Sequence, residues 1–486
     1  MKLNYRVILH ILGILTTING GFMLLTLMFS ESSDFYGILV AGLITLAVGG
    51  SLFFATRNIS NRDVKKKEGY LIVTLGWLMM TLFGTLPYLI TEAIPDYTNA
   101  FFETLSGYST TGATILQDIE ALPRGVLFWR SLTQWIGGMG IIVLTVAVLP
   151  ILGIGGMQLF VAEAPGISPD KLQPRIKETA KRLWYIYLGL TVAETLLLWA
   201  GGLSFYDAIN HALTTMATGG FSTKNASIAH FTSPFIQYII TLFMFLAGTN
   251  FTVTYFGLHG RFRKVLENEE FKLYLLTCVI LGVGVGATIF YLGDETLEKS
   301  FRDSLFQVVS FITTTGYTTV DYTAYDSFIT VLFFILLFFG ASAGSTAGGV
   351  KIVRHIILIK NSILELKRQI HPSAIIPVRF NQRAVSRDIV FNILAFIMIY
   401  IVIFAGGSVL ISMFDVDFVT SMGSVATCLG NVGPGFGLAG DGVKAVSDFA
   451  NFPDPGKWLL SFLMLLGRLE LFTVLILFTP FFWRKY

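Results

Sequence analysis

The stretch Ser109-Thr110-Thr111-Gly112-Ala113-Thr114 returns three more times in altered form. The later copies read Ala217-Thr218-Gly219-Gly220-Phe221-Ser222, Thr313-Thr314-Thr315-Gly316-Tyr317-Thr318 and Gly430-Asn431-Val432-Gly433-Pro434-Gly435. Successive glycines are 108, 96 and 117 residues apart, and each copy lies between two membrane-length apolar stretches. Fourfold recurrence within one chain predicts a central axis with one copy in each quadrant. Glycine lets successive backbone carbonyls turn inward, and threonine adds hydroxyls. Carbonyls from four such segments replace the hydration shell of a bare monovalent cation. The expected lining is Thr110, Thr111 and Gly112, then Thr218, Gly219 and Gly220, then Thr314, Thr315 and Gly316, then Asn431, Val432 and Gly433. The four copies differ in sequence, so the pore is expected to be pseudo-symmetric and to lie within one chain. K⁺, or an ion close to it, is the expected cargo.

Composition supports a membrane setting. Of 486 residues, 53% are hydrophobic and 13% charged, and the mean hydropathy is +0.69. A soluble chain of this length would not cover its surface with so few charges. The 48 glycines fit helices that pack closely through small residues. Cys278 and Cys428 both stand in apolar surroundings and give neither a disulfide framework nor metal-ligand spacing. The apolar run from Val7 to Phe29 is longer than a signal-peptide core and reads as a retained first span.

The expected fold is an all-α polytopic membrane protein. Spans are placed near 7–29, 35–56, 70–92, 128–152, 183–201, 234–258, 272–293, 327–359, 389–413 and 457–482. Half-length apolar segments near 99–110, 207–218, 303–314 and 420–431 are too short to cross and read as re-entrant pore helices. Two leading transmembrane helices thus precede four span, re-entrant helix, span repeats around a central pore. The corresponding units are 1–69, 70–158, 159–262, 263–386 and 387–486.

The repeats align on their glycines without gaps. Thirteen residues earlier stand Asn99, Asp207, Asp303 and Thr420, expected as N-caps of the short helices. Eleven residues earlier stand the apolar Phe101, Ile209, Leu305 and Met422, and six residues earlier Ser106, Thr214, Ser310 and Thr427. Each short helix would aim the negative end of its dipole at the centre, favouring a cation.

Charge sets the expected orientation. With both termini in the cytoplasm and each span crossing once, 26 of the 34 basic residues fall inside and seven outside, a strong positive-inside bias. The re-entrant segments then enter from outside. Nineteen acidic residues fall on that outer face, among them Glu31, Asp118, Asp207, Asp294, Asp303, Asp321, Asp415 and Asp441. A negative vestibule raises the local cation concentration.

Gly340 to Gly349 is a run of ten small residues that interrupts the span at 327–359 before Lys351-Ile-Val-Arg354 resumes a helical pattern. Such a run commits weakly to helix, and non-helical backbone at membrane depth is tolerated where it lines a cavity. Its Gly340, Gly344 and Gly348 equally form overlapping GxxxG helix-packing motifs. Arg468 stands near the middle of the last span, where an unpaired cation costs about 2.5–3.5 kcal/mol on insertion scales. A polar cavity or a carbonyl-rich loop would offset that, as would an ion pair with Glu194 or Glu470.

The two leading spans, the four glycine-centred loops, the small-residue run and the segment Gly467-Arg-Leu-Glu-Leu-Phe472 together resemble the TrkH/KtrB/HKT superfamily of K⁺ and Na⁺ uptake proteins, closest to its bacterial TrkH branch, over nearly the whole chain. The resemblance implies a K⁺-selective type, because glycine holds all four filter centres, whereas serine in the first is associated with Na⁺. It further implies that Gly344, Ser345, Thr346, Ala347, Gly348, Gly349 and Lys351 belong to an intramembrane gate beneath the filter, with Arg468 facing it. A homodimer, a cytosolic TrkA-type nucleotide-binding subunit and the bacterial cytoplasmic (inner) membrane are implied as well. Pro434 and Gly435 depart from the pattern of the other loops.

No phosphate-binding loop stands out; the Gly-Ile-Gly-Gly cluster at 153–156 is a lone glycine group after a span. No organic cofactor is therefore expected on this chain. The basic cytoplasmic loops fit docking of a regulatory partner and equally fit topology signals. His10, His211, His230, His259, His355 and His371 are scattered, with no carboxylate pair or nucleophile–base set, so an enzyme is not expected. An Na⁺- or H⁺-coupled K⁺ symporter is the alternative, and it predicts inverted repeats with broken helices at the midplane.

Overall fold

The computed structural model describes residues 3–58, 64–143, 172–293, 295–374, 376–439, 442–446 and 448–484. The Gly-Ile-Gly-Gly cluster, the boundary expected at 158/159, the far end of the span at 128–152, Asp294 and Asp441 lie outside the described residues.

Among the described residues, six helices are long and apolar enough to cross a membrane, or eight when each of two bent pairs counts as one span. The leading pair, Tyr5–Leu25 and Phe35–Ala55, packs through small residues. A methyl group added at Gly20 would stand 2.8 Å from Leu46 N, a spacing that requires glycine. Four units follow. The first holds Lys66–Gly84, the short helix Tyr97–Tyr108 and Arg124–Val143. The second holds Leu172–Ala200, Phe205–Met216 and Pro234–Gly248. Glu269–Leu292, Leu297–Ile312 and Ser327–Leu336 form the third, and Arg387–Ser412, Phe418–Gly430 and Asp454–Arg468 the fourth.

The caps of the short helices differ from expectation. Asp96, Ser204, Thr296 and Asp417 are the N-caps, and each side chain accepts from the backbone N–H three residues on, at Asn99, Asp207, Lys299 and Thr420. Asn99, Asp207 and Thr420 therefore lie inside the first turn, and Asp303 lies deeper still. Several adjacent residues could have capped; the direction from which the chain enters decides among them. The third short helix starts one turn earlier than the others relative to its glycine.

Two spans read as continuous are broken, as is the span read as interrupted by Gly340–Gly349. Pro234–Gly248 and Phe251–Leu258 meet at 114°, and Asp454–Arg468 and Phe472–Phe478 at 110°. Asn250 caps the helix beyond the first break by accepting from Thr252 N–H. At the second break Glu470 and Leu471 take positive φ values of 63° and 42°. The third break follows Leu336; helix resumes at Ile352 and runs to Ile370. The segment between them is non-helical, so the Gly340, Gly344 and Gly348 spacing packs no helix. Two hairpins add the only strands among the described residues, Arg379–Phe380 with Arg383–Ala384 and Gly435–Ala439 with Gly442–Val446. The second directly follows the fourth glycine loop, where Pro434 and Gly435 depart from the other copies.

Candidate functional site: four loops in a closed ring

All four short helices end in the same way. The residue two before each glycine is left-handed, with φ of 53° at Thr110, 54° at Thr218, 56° at Thr314 and 53° at Asn431. Its N–H reaches back three residues, to Gly107 O, Thr215 O, Phe311 O and Cys428 O, at 2.9–3.3 Å. The next N–H reaches back five, from Thr111 to Ser106 O, Gly219 to Thr214 O, Thr315 to Ser310 O and Val432 to Thr427 O, at 2.9–3.0 Å. This is a Schellman ending, which usually places glycine in the left-handed position. A β-branched threonine there costs about 1–2 kcal/mol, so the surroundings must hold it. The Ser/Thr column six before each glycine thus contributes its carbonyls to the motif.

The glycines follow with φ of 80° at Gly112, 76° at Gly220, 79° at Gly316 and 103° at Gly433. Their α-carbons face a carbonyl of the next loop. A methyl group at Gly112 would fall inside 3.0 Å of Gly219 O, one at Gly220 of Thr315 O, one at Gly316 of Val432 O and one at Gly433 of Thr111 O. The contacts run from loop one to two, two to three, three to four and four back to one, so the ring closes in chain order. Thr111, Gly112, Gly219, Gly220, Thr315, Gly316, Val432 and Gly433 make these contacts, and Thr110, Thr218, Thr314 and Asn431 directly precede them. The carbonyl presented to the neighbour always comes from the residue just before a glycine.

Side chains brace this ring from behind. Gln134 Nε2 donates to Gly219 O at 2.7 Å, and its Oε1 accepts from Phe221 N–H at 3.1 Å. Asn431 Nδ2 donates to Thr111 Oγ1 at 3.0 Å and to Met464 O at 2.9 Å, joining the fourth loop to the first. Tyr317 OH donates to His211 O at 3.2 Å, tying the third loop to the second short helix.

Directly beneath lies the non-helical segment. Gly348 N–H donates to Thr314 Oγ1 at 2.6 Å, so the segment touches the base of the ring. Thr346 Oγ1 donates to Met216 O at 3.0 Å and Ala247 O at 3.3 Å. Arg468, 2% exposed, donates to Thr346 O at 2.8 Å and Gly137 O at 2.9 Å. Lys351 Nζ donates to Ala347 O and Gly348 O. Gly344 and Gly349 have φ of 73° and 63°. Arg468 is thus hydrogen-bonded to backbone carbonyls and keeps its charge, and neither Glu194 nor Glu470 forms a salt bridge with it. Glu470 pairs with Arg354, whose guanidinium lies 3.8 Å from the Phe396 ring centre. Glu194 is fully buried.

Sequence reasoning missed Gln134, Asn250 and Glu270. Glu270 Oε1 accepts from Ala343 N–H at 2.7 Å, in the middle of the segment, and from Val353 N–H at 3.2 Å, in the first turn of the helix that follows it. Asn250 Nδ2 donates to Ala343 O at 2.6 Å. Polar residues within or at the end of apolar stretches were the available signal, but nothing local says which backbone they serve.

A polytopic helical chain whose four short helices end on one ring of glycine loops has the architecture of a membrane transport protein. The chain belongs to the TrkH family: the family model TrkH, described as cation transport protein, matches residues 37–485. The chain is 40% identical to the Trk system potassium uptake protein TrkH of Salmonella typhimurium, covering 99% of this chain and 100% of that one. It is 32% identical to the Trk system potassium uptake protein TrkG of Escherichia coli, covering 99% of each. The crystal structure of the potassium transporter TrkH from Vibrio parahaemolyticus superposes with a TM-score of 0.89 at 35% identity, over 99% of this chain and 100% of that one. These relatives are transporters, not enzymes.

Proposed function

We propose that this chain carries K⁺ inward across the bacterial cytoplasmic membrane, with both termini in the cytoplasm, through a pore whose filter is the four-loop ring. The closure of that ring in chain order is the observation that supports this reading most. In this reading four backbone carbonyls, from Thr111, Gly219, Thr315 and Val432, surround one axis, each packed against the glycine α-carbon of an adjacent loop. Such carbonyls supply the oxygen ligands that a dehydrated K⁺ needs. Each of the four units repeats the order span, short helix, span, which fits a pore better than an inverted-repeat symporter. Flux measurements in liposomes under opposed K⁺ and Na⁺ gradients test the reading.

The segment from 337 to 351 is the gate in this account. It sits against the base of the ring and is held by hydrogen bonds from three directions: Arg468, Thr314 and Glu270. Glu270→Ala removes the acceptor that ties the middle of the segment, at Ala343, to the start of the following helix, at Val353. It is expected to raise basal K⁺ flux about fivefold, the loss of roughly 1 kcal/mol from the closed state, with ion preference unchanged. Rubidium uptake normalised to monodisperse protein checks this; unchanged or lower uptake by well-folded protein counts against the role given to Glu270.

Regulation is assigned to a cytosolic TrkA-type nucleotide-binding subunit acting on a homodimer of this chain, since no phosphate-binding loop is evident in the sequence. Calorimetry on the isolated chain with ATP, ADP or NADH is expected to give no binding heat. Micromolar binding of any of them without the partner would refute this assignment.

A further inference from the structure

Nine residues before each ring glycine stands a polar side chain: Glu103, His211, Gln307 and Ser424. Three of them cross to the segment that leaves the ring. Glu103 accepts from Thr114 Oγ1 at 2.9 and 3.0 Å and from Ile115 N–H at 2.9 Å. His211 Nε2 and Ser222 Oγ are 2.9 Å apart. Gln307 Nε2 donates to Val320 O at 2.9 Å. Ser424 is too short and turns back onto Ser421 O. There the outgoing strand is held instead by Tyr322 OH, which donates to Gly435 O at 2.9 Å.

The first position is unlike the others because it carries a charge. Glu103 and Arg130 are 0% and 2% exposed and stand 2.6 Å apart. Arg130 also donates to Ser222 O at 3.0 Å and lies 3.5 Å from the centre of the Phe221 ring. Glu103 therefore holds the outgoing segment of loop one, and Arg130 holds that of loop two. Their ion pair joins the two. Thr114 lies three residues beyond the ring carbonyl of Thr111, and Ser222 three beyond that of Gly219. A buried ion pair adds little net stability relative to apolar packing of the same volume, so stability alone does not account for one here. Charge-assisted bonds do fix geometry closely.

We propose that Glu103 and Arg130 form a positioning pair that sets the spacing of the first two loops and thereby the preference for K⁺ over Na⁺. The proposal rests on the ring being the ion path. With the pair intact, the carbonyls of Thr111 and Gly219 are held at a separation suited to the larger ion. With it loosened, that sector of the ring relaxes around the smaller one. The other sectors, held by neutral bonds, contribute less to discrimination.

The test compares wild type with Glu103→Gln, Arg130→Lys and Thr114→Val, each in liposomes and normalised to monodisperse protein. Glu103→Gln keeps an acceptor and removes the charge. Arg130→Lys keeps the charge and loses the planar fork and the stack over Phe221. Thr114→Val leaves the pair and removes the hydroxyl that donates to Glu103 and accepts from Leu116 N–H. Bi-ionic reversal potentials give the K⁺ over Na⁺ permeability ratio, which a purely structural role would leave unchanged while lowering yield. The ratio is expected to fall about tenfold for Glu103→Gln and Arg130→Lys, and about threefold for Thr114→Val. If one charge variant does not fold, the other two variants carry the comparison. Folded variants with the wild-type ratio, beside a selective wild type, overturn the proposal and leave the ring reading standing. An unselective wild type overturns the ring reading and the proposal with it.

Discussion

Gly112→Ser is expected to abolish most discrimination between K⁺ and Na⁺. The reason lies in the ring contacts rather than in the added hydroxyl. A Cβ at Gly112 would fall inside 3.0 Å of Gly219 O, and that oxygen is backbone held by Gln134 at 2.7 Å. The residue also has φ of 80°, which a side chain resists. The carbonyl of Gly219 must therefore move, and one ligand is lost from the ion's shell. A loss of about 1.4 kcal/mol in differential binding lowers the permeability ratio roughly tenfold. Gly220 and Gly316 meet their neighbours in the same manner, so serine there should have a similar effect. Rubidium and sodium uptake by the purified variants checks it. A folded Gly112→Ser protein with the wild-type ratio would show that the ring does not select.

Arg468→Ala is expected to raise K⁺ flux about tenfold and to leave selectivity mostly intact. Arg468 donates to Thr346 O in the candidate gate and to Gly137 O on the opposite wall. A hydrogen bond to a charged group contributes about 1.5–3 kcal/mol, and in the proposed reading the one to Thr346 O holds the gate closed against the ring. In the same proposed reading the guanidinium also sets a positive charge beside the ion path. Both effects vanish in the alanine variant. Deletion of several residues between Ala343 and Gly348 should act in the same direction, since it removes Thr346 and its bonds to Met216 and Ala247. Rubidium uptake into liposomes, normalised by size exclusion, reads the effect. Well-folded variants with unchanged or reduced flux would refute the gate.

The repeated glycines made the four-part architecture legible, because each takes positive φ and faces a carbonyl of the next loop, where a Cβ would clash; the left-handed Thr110, Thr218, Thr314 and Asn431 two residues earlier carried no such signal. The Ser/Thr column six residues before was legible too, although its carbonyls, not its hydroxyls, are common to all four loops. The N-cap column was misplaced by three residues in repeats one, two and four, since several neighbouring residues cap equally well. The bend after Arg468 was hidden: Leu469, Glu470 and Leu471 are ordinary helix formers, and only burial of both leucines and the Arg354–Glu470 pair turns the chain there. Arg468 stood out as a lone charge in an apolar span, but its carbonyl partners lie 122 and 331 residues away, beyond the reach of any local pattern. Glu103 and Arg130 were hidden among the charges assigned to the outer face. Burial behind the ring, visible only in three dimensions, separates them from solvated loop charges.

The central claim is that a ring of four glycine loops selects K⁺. The reversal potential of the unmodified protein in liposomes, with K⁺ on one side and Na⁺ on the other, tests it most directly. The account predicts a potential close to the K⁺ limit, shifted little when Rb⁺ replaces K⁺. A potential near zero, with K⁺ and Na⁺ equally permeant, would contradict it.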